Sequence, residues 1–561
     1  MGRVELADLR ISATTLGDML LKAADSAPEK EALVFPEERK TYRELVGSVF
    51  EKARQLIAVG VEPGDHVGIL LPSGISFVET LFANAMVGAV SVLMNARYQA
   101  PEMAYVAENA DLAVIVTDDT QTEHVDFIGR LTAALPGLAQ SDDPTALALH
   151  AAPRLRSILL LRNPDGSGNV PAGFMGEEKL APEAAKVTED EIHQRRLRVR
   201  IRSTVMILYT SGTSANPKGC LLSHEAIVRE TINLTANRWA FTSDERAWSP
   251  LPLFHIAAML AMLGSVNVAG TFIGQPHFDA GESLRQIEAE RVTMMFLPFV
   301  TFHQAMIAHP DWEKTEMSSV RLQNSCFAFM PEKVGEAYRK KAPDMLQVGT
   351  FGMTEASGIV TTGGYEMDPE MGFSRLGYAL PGVELRIVDP DGNDLPVGER
   401  GEVLVRAYSL FDGYYKDPEK TAEAIDPQGW YHTGDIGSLD EQDHLMFHGR
   451  IKDMLKVGGE NVAAAEVETS MATHPGVKLV QVVGIPDDRL EEVPAAFVEL
   501  DGVAGVQEDE LIAFARERLA SFKVPRHIRF VDEWPMSASK IQKFKLRQRL
   551  VEELGLAERG E

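Results

Sequence analysis

The sequence predicts an α/β protein with a large N-terminal body of βα units, a smaller β-rich unit after it, and a compact α+β unit at the C-terminus. Three observations carry this. From Asp65 to Val116 short apolar β-runs alternate with segments of helical period. Around 385–406 two β-runs flank an Asp-Pro-Asp-Gly turn. Beyond residue 449, two long strands, a helix and another strand follow in close order. At 561 residues the chain is too long for a single core, because one hydrophobic core stops growing at about half that length.

Leu16, Met19, Leu20 and Ala23 share one helix face. Thr41 is placed to cap a second helix, with Glu44 three residues on completing a capping box. The pattern then predicts strand 67–71, helix 76–87, strand 89–93, helix 101–109 and strand 113–116. Such alternation implies right-handed βαβ units and a largely parallel sheet. The most apolar window, 77–94, contains Glu79 and Asn84 and reads as a buried helix running into a strand, not a membrane span. Residues 118–200 are polar apart from 158–161 and are expected to be surface loop and peripheral helix. Further strand–helix units are expected at 205–238, 292–308 and 322–332, and a strand at 345–350. The last unit should comprise strands 479–483, 495–500 and 528–531 with helix 508–519.

The 55 Lys plus Arg against 82 Asp plus Glu leave a formal charge of −27, which argues against nucleic acid or an anionic membrane as partner. Any polyanionic ligand therefore needs locally concentrated cations. Two cysteines, Cys220 and Cys326, and no Cys/His cluster at ligand spacing exclude a disulfide scaffold or a structural zinc site. The N-terminus is acidic and lacks an apolar core, so no signal peptide is expected and the cytoplasm is the expected compartment.

The chemistry is concentrated in a few stretches. Tyr209-Thr210-Ser211-Gly212-Thr213-Ser214-Ala215-Asn216-Pro217-Lys218-Gly219 follows the apolar run 205–208. Small residues let backbone N–H groups approach an anion, hydroxyls add donors and the lysine adds charge, so this is a phosphate-binding loop. It is not the Walker type G-x-x-x-x-G-K-[ST], because Lys218 precedes Gly219. Its order and spacing resemble [ST]-[SG]-G-[ST]-[ST]-x-x-P-K-G of the acyl-adenylate-forming superfamily, which includes acyl-CoA synthetases, amino-acid-activating domains and luciferases.

Other stretches resemble that superfamily in the same order. Pro252-Leu253-Phe254-His255 is similar to its P-L-F-H element; His255 either lines the acyl pocket or is a satisfied core histidine. Phe351-Gly352-Met353-Thr354-Glu355 resembles Y-G-x-T-E, with Phe351 in place of Tyr. Trp430 to Asp435 matches W-x-x-T-G-D, and Gly449 to Asn461 resembles the stretch where the family's large and small domains join. Pro535 to Lys543 is similar to P-x-[ST]-x-[ST]-G-K-[IV]-x-[KR], but the glycine before the lysine is absent and Ser539 directly precedes Lys540, one residue shorter.

The resemblance implies an N-terminal adenylation domain, 1–448, and a mobile C-terminal domain, 449–561. It implies ATP and coenzyme A as co-substrates, Mg²⁺ as cofactor, and a carboxylic acid as the group activated. Lys540 would bridge the carboxylate and the α-phosphate, and Thr354 and Lys456 would assist. Glu355 would hold Mg²⁺, a hard cation suited to carboxylate and phosphate oxygens. Thr210, Ser211, Gly212, Thr213 and Lys218 would surround the β- and γ-phosphates. Phe351 and Gly352 would lie against adenine, while Asp435 and Arg450 would reach the ribose or phosphate. Lys452 would be the hinge, and Gly458 and Gly459 would line the pantetheine channel. Phe327, Ala328 and Phe329 replace a run of small residues, so the two rings either reshape the acyl pocket or point into the core. With Ser214-Ala215-Asn216 they resemble the crotonobetaine/carnitine–CoA ligase branch, which implies a small or polar acid. The family contains monomers and homodimers.

A carboxylate attacking the α-phosphorus of ATP brings two anions together, and at neutral pH it is already ionised. The site therefore needs cations and aimed dipoles rather than a general base. The expected activity is a carboxylic acid–CoA ligase (AMP-forming). Two rivals differ in class: an adenylating enzyme that delivers the acyl group to a carrier protein or oxygen, and a nucleotide- or acyl-binding protein without turnover.

Overall fold

The computed structural model describes residues 15–556 except 122–124, 162–168, 211–216, 326–331, 366, 368–374, 458–459, 488, 503–504 and 538–539; at 332, 452, 460, 461, 537 and 540 it describes the backbone alone. Thr41 caps the helix Tyr42–Ala58, and both arms of the capping box with Glu44 are formed. The helix Ile75–Val87 is buried on every side except Ser76, as its all-round apolar sequence requires. Among the described residues no helix is long and apolar enough to cross a membrane.

Two large sheets form the N-terminal body. In the seven-stranded sheet the order is Met175–Gly176, Ser157–Leu161, Leu112–Asp118, His66–Leu70, Val90–Leu93, Thr204–Thr210, Lys218–Ser223. All pairs are parallel except the last, where Lys218–Ser223 turns back on Thr204–Thr210. The nine-stranded sheet has a parallel centre of Leu346–Met353, Leu322–Ser325, Met294–Phe296, Arg246–Ser249, Thr271–Gly274 and Glu31–Val34, with antiparallel strands at both edges. Parallel strands share one carboxyl edge, where open α/β sheets place their ligands. The segments after Ser249, Phe296 and Met353 all leave from that edge.

The β-rich unit is an antiparallel sheet of Val383–Val388, Gly401–Ala407, Tyr431–Leu439 and Leu445–Arg450. Its first turn is tied by Asp389, whose carboxylate accepts from the backbone N–H groups of Asp391 and Asn393, with Gly392 at φ +83°. The C-terminal unit is a five-stranded sheet built on the long pair Val477–Asp487 and Glu491–Leu500. Sheet membership changes between Arg450 and Met454, across the single 3-10 turn Ile451–Asp453. Gly449 and Arg450 thus end a strand of the N-terminal portion, two residues beyond the 448/449 division drawn from sequence.

One expectation needs correcting. Residues 118–200 are not merely peripheral: Phe127, Leu131, Leu138, Leu147, Leu149 and Leu155 are buried and form a core with Ile115, Ile158 and Leu160. Phe127, Leu131 and Ala134 form a helical stripe on Phe127–Ala134, but Leu147, Leu149 and Leu155 follow no sustained helical or strand period, so the sequence does not reveal that they join this core.

A buried carboxyl ties the two portions of the N-terminal body together. Glu230, on the helix His224–Asn237, is 0% exposed. It accepts a hydrogen bond from the Tyr408 hydroxyl at 2.9 Å and one from the backbone of Ile359. Burial pushes this carboxyl well above its ordinary value of 4.5. An acid with a raised folded pKa contributes stability below its unfolded value and loses it as pH climbs toward the folded value. Replacing it by the neutral isostere, Glu230→Gln, removes that loss. Urea unfolding from about pH 5 to about pH 8 should therefore show the parent losing ground to the variant, at a slope approaching about 1.4 kcal/mol per pH unit. A pH-independent difference would contradict a neutral buried carboxyl.

Candidate active site

The phosphate-loop sequence lies between two antiparallel strands, with Thr210 directly opposite Lys218. Ser211, Gly212 and Thr213 lie outside the described residues. The loop's exit is fastened by the Tyr105 hydroxyl, which donates to the Pro217 carbonyl at 3.1 Å. Its entrance is fastened by Tyr209, whose hydroxyl donates to Asn109 at 2.6 Å. Gly219 already belongs to the second strand, where a Cβ would stand 2.8 Å from Ile207 and 3.2 Å from the Tyr209 ring. That glycine serves close packing under the loop rather than approach to phosphate.

The second element is a sharp corner. The strand Leu346–Met353 passes into a 3-10 turn, Thr354–Ala356, and returns as Gly358–Thr362. Ser357 at the corner sits at φ +58°. A Cβ on Gly352 would lie 1.8 Å from the Gly358 carbonyl oxygen, so only glycine lets the strand return this closely. Thr354 and Glu355 are half-buried on the corner, and Phe351 is 6% exposed with its ring 6.4 Å from that of Phe447. His255 precedes the helix Ile256–Asn267, and that helix packs Ile256 and Leu260 against Gly358. His255 therefore starts the element that abuts the Thr354–Glu355 corner. Cys326, Phe327, Ala328 and Phe329 fall outside the described residues.

The segment 411–415 joins loop and corner. Its backbone runs along the strand Lys218–Ser223: Leu221 donates to Gly413 at 3.0 Å and Tyr415 donates to Gly219 at 2.8 Å. Phe411 N–H donates to the Glu355 carbonyl at 2.8 Å, and the Tyr414 hydroxyl donates to the Glu355 carboxylate at 3.0 Å. The Lys218 ammonium stands 4.1 Å above the Tyr414 ring, an attractive cation–π contact. Burial, and next the Glu355 charge, push the Tyr414 phenol far above its ordinary range, so it stays a donor. Sequence reasoning passed over Tyr414, because an aromatic after a glycine carries no signal until its neighbours are known. Cys220 is 0% exposed beside the same group; burial, and then Glu355, push its thiol well above the usual value.

Asp435 and Arg450 face each other on adjacent antiparallel strands. The Arg450 Nε lies 3.0 Å from the Asp435 carboxylate, which is 8% exposed against 45% for the arginine side chain. The Asp435 N–H donates to Thr433 Oγ1 at 3.0 Å, and Thr433 in turn donates to the Val403 carbonyl at 2.7 Å. Tyr431, on the Asp435 strand, feels the charges of both Glu355 and Asp435 and is also pushed up, chiefly by burial. Glu355, Asp435 and Lys218 are thus brought to one region.

The C-terminal residues lie on the other unit. Lys456 is exposed on the strand Met454–Val457, and its N–H donates to Glu492 at 2.9 Å. Lys540 opens the short strand Lys540–Ile541, paired with Met536–Ser537; Lys452 lies in the 3-10 turn. The side chains of Lys452 and Lys540 are outside the description, as are Gly458 and Gly459. In the C-terminal tail Lys543 is paired with Glu468 at 2.6 Å, and Arg547 donates to the Gly484 carbonyl at 3.2 Å. A cavity of about 140 Å³ between the two units is lined by Phe447, Arg450, Met454, Ala464 and Lys543. Polar contacts hold the units together: Gln304 to the Lys478 carbonyl at 2.8 Å, Lys333 to Asp501 at 3.2 Å and Arg400 to Glu466 at 3.7 Å.

Comparison with known proteins agrees with this arrangement. Residues 20–415 match the AMP-binding enzyme family, and residues 466–540 match the AMP-binding enzyme C-terminal domain. A feruloyl-CoA synthase of Amycolatopsis sp is 32% identical over 538 residues, covering 95% of this chain and 99% of the relative. A mitochondrial medium-chain acyl-CoA ligase, ACSF2, of Rattus norvegicus is 30% identical over 559 residues, covering 98% of this chain and 89% of the relative. ATP-bound MatB from Rhodopseudomonas palustris superposes with a TM-score of 0.81 at 27% identity, over 96% of this chain and 98% of that one. The chain belongs to the AMP-binding enzyme family and is an acyl-CoA synthetase of that family.

Proposed function

We propose that the protein activates a monocarboxylic acid with an apolar or aromatic tail, forming the acyl-adenylate and then the CoA thioester. The convergence of Lys218, Glu355 and Asp435 around the segment 411–415 and strand Tyr431–Leu439 carries this reading. Lys218 and the loop hydroxyls neutralise the terminal phosphates. Asp435, fixed by Arg450 and by Thr433, accepts from the ribose hydroxyls. The Phe351 ring flanks adenine, and Thr354 donates to the α-phosphate. Lys540 and Lys456 bring their charge from the C-terminal unit. The donor set suits Mg²⁺: Glu355 offers one half-buried carboxylate, and the triphosphate completes an oxygen shell. When bound, the ion would offset phosphate charge.

The apolar side chains of Phe254, Ile256, Phe299 and Met353 follow carboxyl ends of parallel strands. They favour an apolar tail over the small, polar acid suggested by the bulk at 327–329. The feruloyl and medium-chain names of the relatives support the same choice. The turn Ile451–Asp453 is the narrow connection about which the C-terminal unit would rotate, with Lys452 as hinge. Rotation would withdraw Lys540 after adenylation and present residues 458–459 to pantetheine.

The decisive assay is pyrophosphate release with ATP and Mg²⁺ across aliphatic, aromatic and carnitine-like acids, with and without CoA. CoA-dependent turnover restricted to apolar or aromatic acids is expected; CoA-indifferent release would point to a carrier or oxygen acceptor. Lys540→Ala should lower adenylation by about 10²-fold or more while sparing thioester formation from supplied acyl-AMP. Equal loss in both half-reactions would refute a role confined to adenylation. Asp435→Asn should raise the KM for ATP about tenfold, the scale of a charged hydrogen bond, with the KM for the acid unchanged.

A further inference from the structure

We propose that Tyr414 is a positioning residue that orients the Glu355 carboxylate for the metal–nucleotide complex and couples it to Lys218. The inference rests on the reading of Glu355 as the metal-holding carboxylate. Three features place Tyr414 for this task. Its hydroxyl donates to Glu355 Oε1 at 3.0 Å, and the same segment grips the Glu355 carbonyl through Phe411 N–H at 2.8 Å. The corner residue is therefore held at backbone and side chain by residues three apart in sequence.

The Lys218 ammonium lies 4.1 Å from the centre of the same ring. A cation on the π-face draws electron density from the phenol, which strengthens the hydroxyl as a donor. A carboxylate that accepts one fixed donor on Oε1 leaves Oε2 and the remaining lone pairs in a defined direction. Hydrogen bonds of this kind orient metal ligands, and losing them costs about 10- to 100-fold in metal affinity.

Tyr414 is itself over-determined, as such a role requires. Its N–H donates to Thr421 Oγ1 at 2.9 Å, and its ring meets Phe411 edge-on at 4.7 Å. Gly413 before it lies at φ +128°, and a Cβ there would come within 2.9 Å of Thr421. Tyr415 after it donates to Asp111 at 2.8 Å, which anchors the segment's far side. These bonds fix the backbone from which the ring projects, while Phe411 and Lys218 flank the ring itself.

Tyr414→Phe keeps the ring, the Lys218 contact and the packing, and removes only the hydroxyl. The test is calorimetric ATP binding to the full-length protein without acid, so no turnover occurs, once with Mg²⁺ and once with EDTA. The expected result is a loss of about tenfold in the affinity ratio between Mg²⁺ and EDTA, with EDTA binding unchanged. This ratio is internal to each variant, so a change of stability alone does not move it. Tyr414→Leu, which also removes the platform for Lys218, should weaken EDTA binding as well. Glu355→Gln separates the two ideas. A ratio that collapses in Glu355→Gln but stays parental in Tyr414→Phe overturns the positioning role alone. A parental ratio in both removes the metal-holding role of Glu355 and this inference with it.

Discussion

Joining a carboxylate to a triphosphate sets like charges against each other, and the placement of charge in this chain answers that repulsion. The overall balance is strongly acidic, so the answer has to be local. Lys218 and Arg450 supply charge from separate strands of the N-terminal body. Carboxylates are admitted only where something holds them: Asp435 by Arg450, Glu355 by Tyr414. Their geometry is set by strand register and by a grip on the backbone, both of which cost little once the sheets are formed.

The two sheets matter because they present several carboxyl-end segments at common edges. Thr210 leads into the phosphate-loop sequence, Met353 into the Thr354–Glu355 corner, and Ser249 into the segment that ends at His255. The antiparallel return strands Lys218–Ser223 and Gly358–Thr362 then fold the functional residues back toward the body. Segment 411–415 closes the gap between them, so the β-rich unit is a structural partner of the nucleotide site and not only a spacer before the C-terminal unit.

Much of this was legible in the sequence. The strand–helix alternation up to residue 118 gave element type and order because period-2 and period-3.6 patterns are local. Thr41 was readable as a cap because Glu44 three residues on completes a capping box, and its side chain does bond to the Glu44 N–H. The hairpin around Asp389 was readable from turn chemistry. Three things were not. The core within 127–155 begins with a helical stripe, Phe127, Leu131 and Ala134, but the leucines from 147 to 155 have no regular spacing, so their place in it emerges only from tertiary packing. Gly219 looked like a phosphate-loop residue because sequence cannot tell a glycine that admits a ligand from one that admits a neighbouring side chain. Tyr414 lies 59 residues from the carboxylate it serves, and such a pairing has no local signature. The Lys543–Glu468 pair was hidden for the same reason.

Cys220 gives the site one further property. An acyl-adenylate is an electrophile waiting for a thiol, and any reactive thiolate of the protein within reach would compete with coenzyme A for the acyl group. Only the thiolate form is an effective nucleophile. Cys220 lies within the strand Lys218–Ser223, and its burial with the Glu355 charge beside it keeps its sulfur protonated and out of contact. A thiol set in the same strand as Lys218 is thereby kept from competing with coenzyme A.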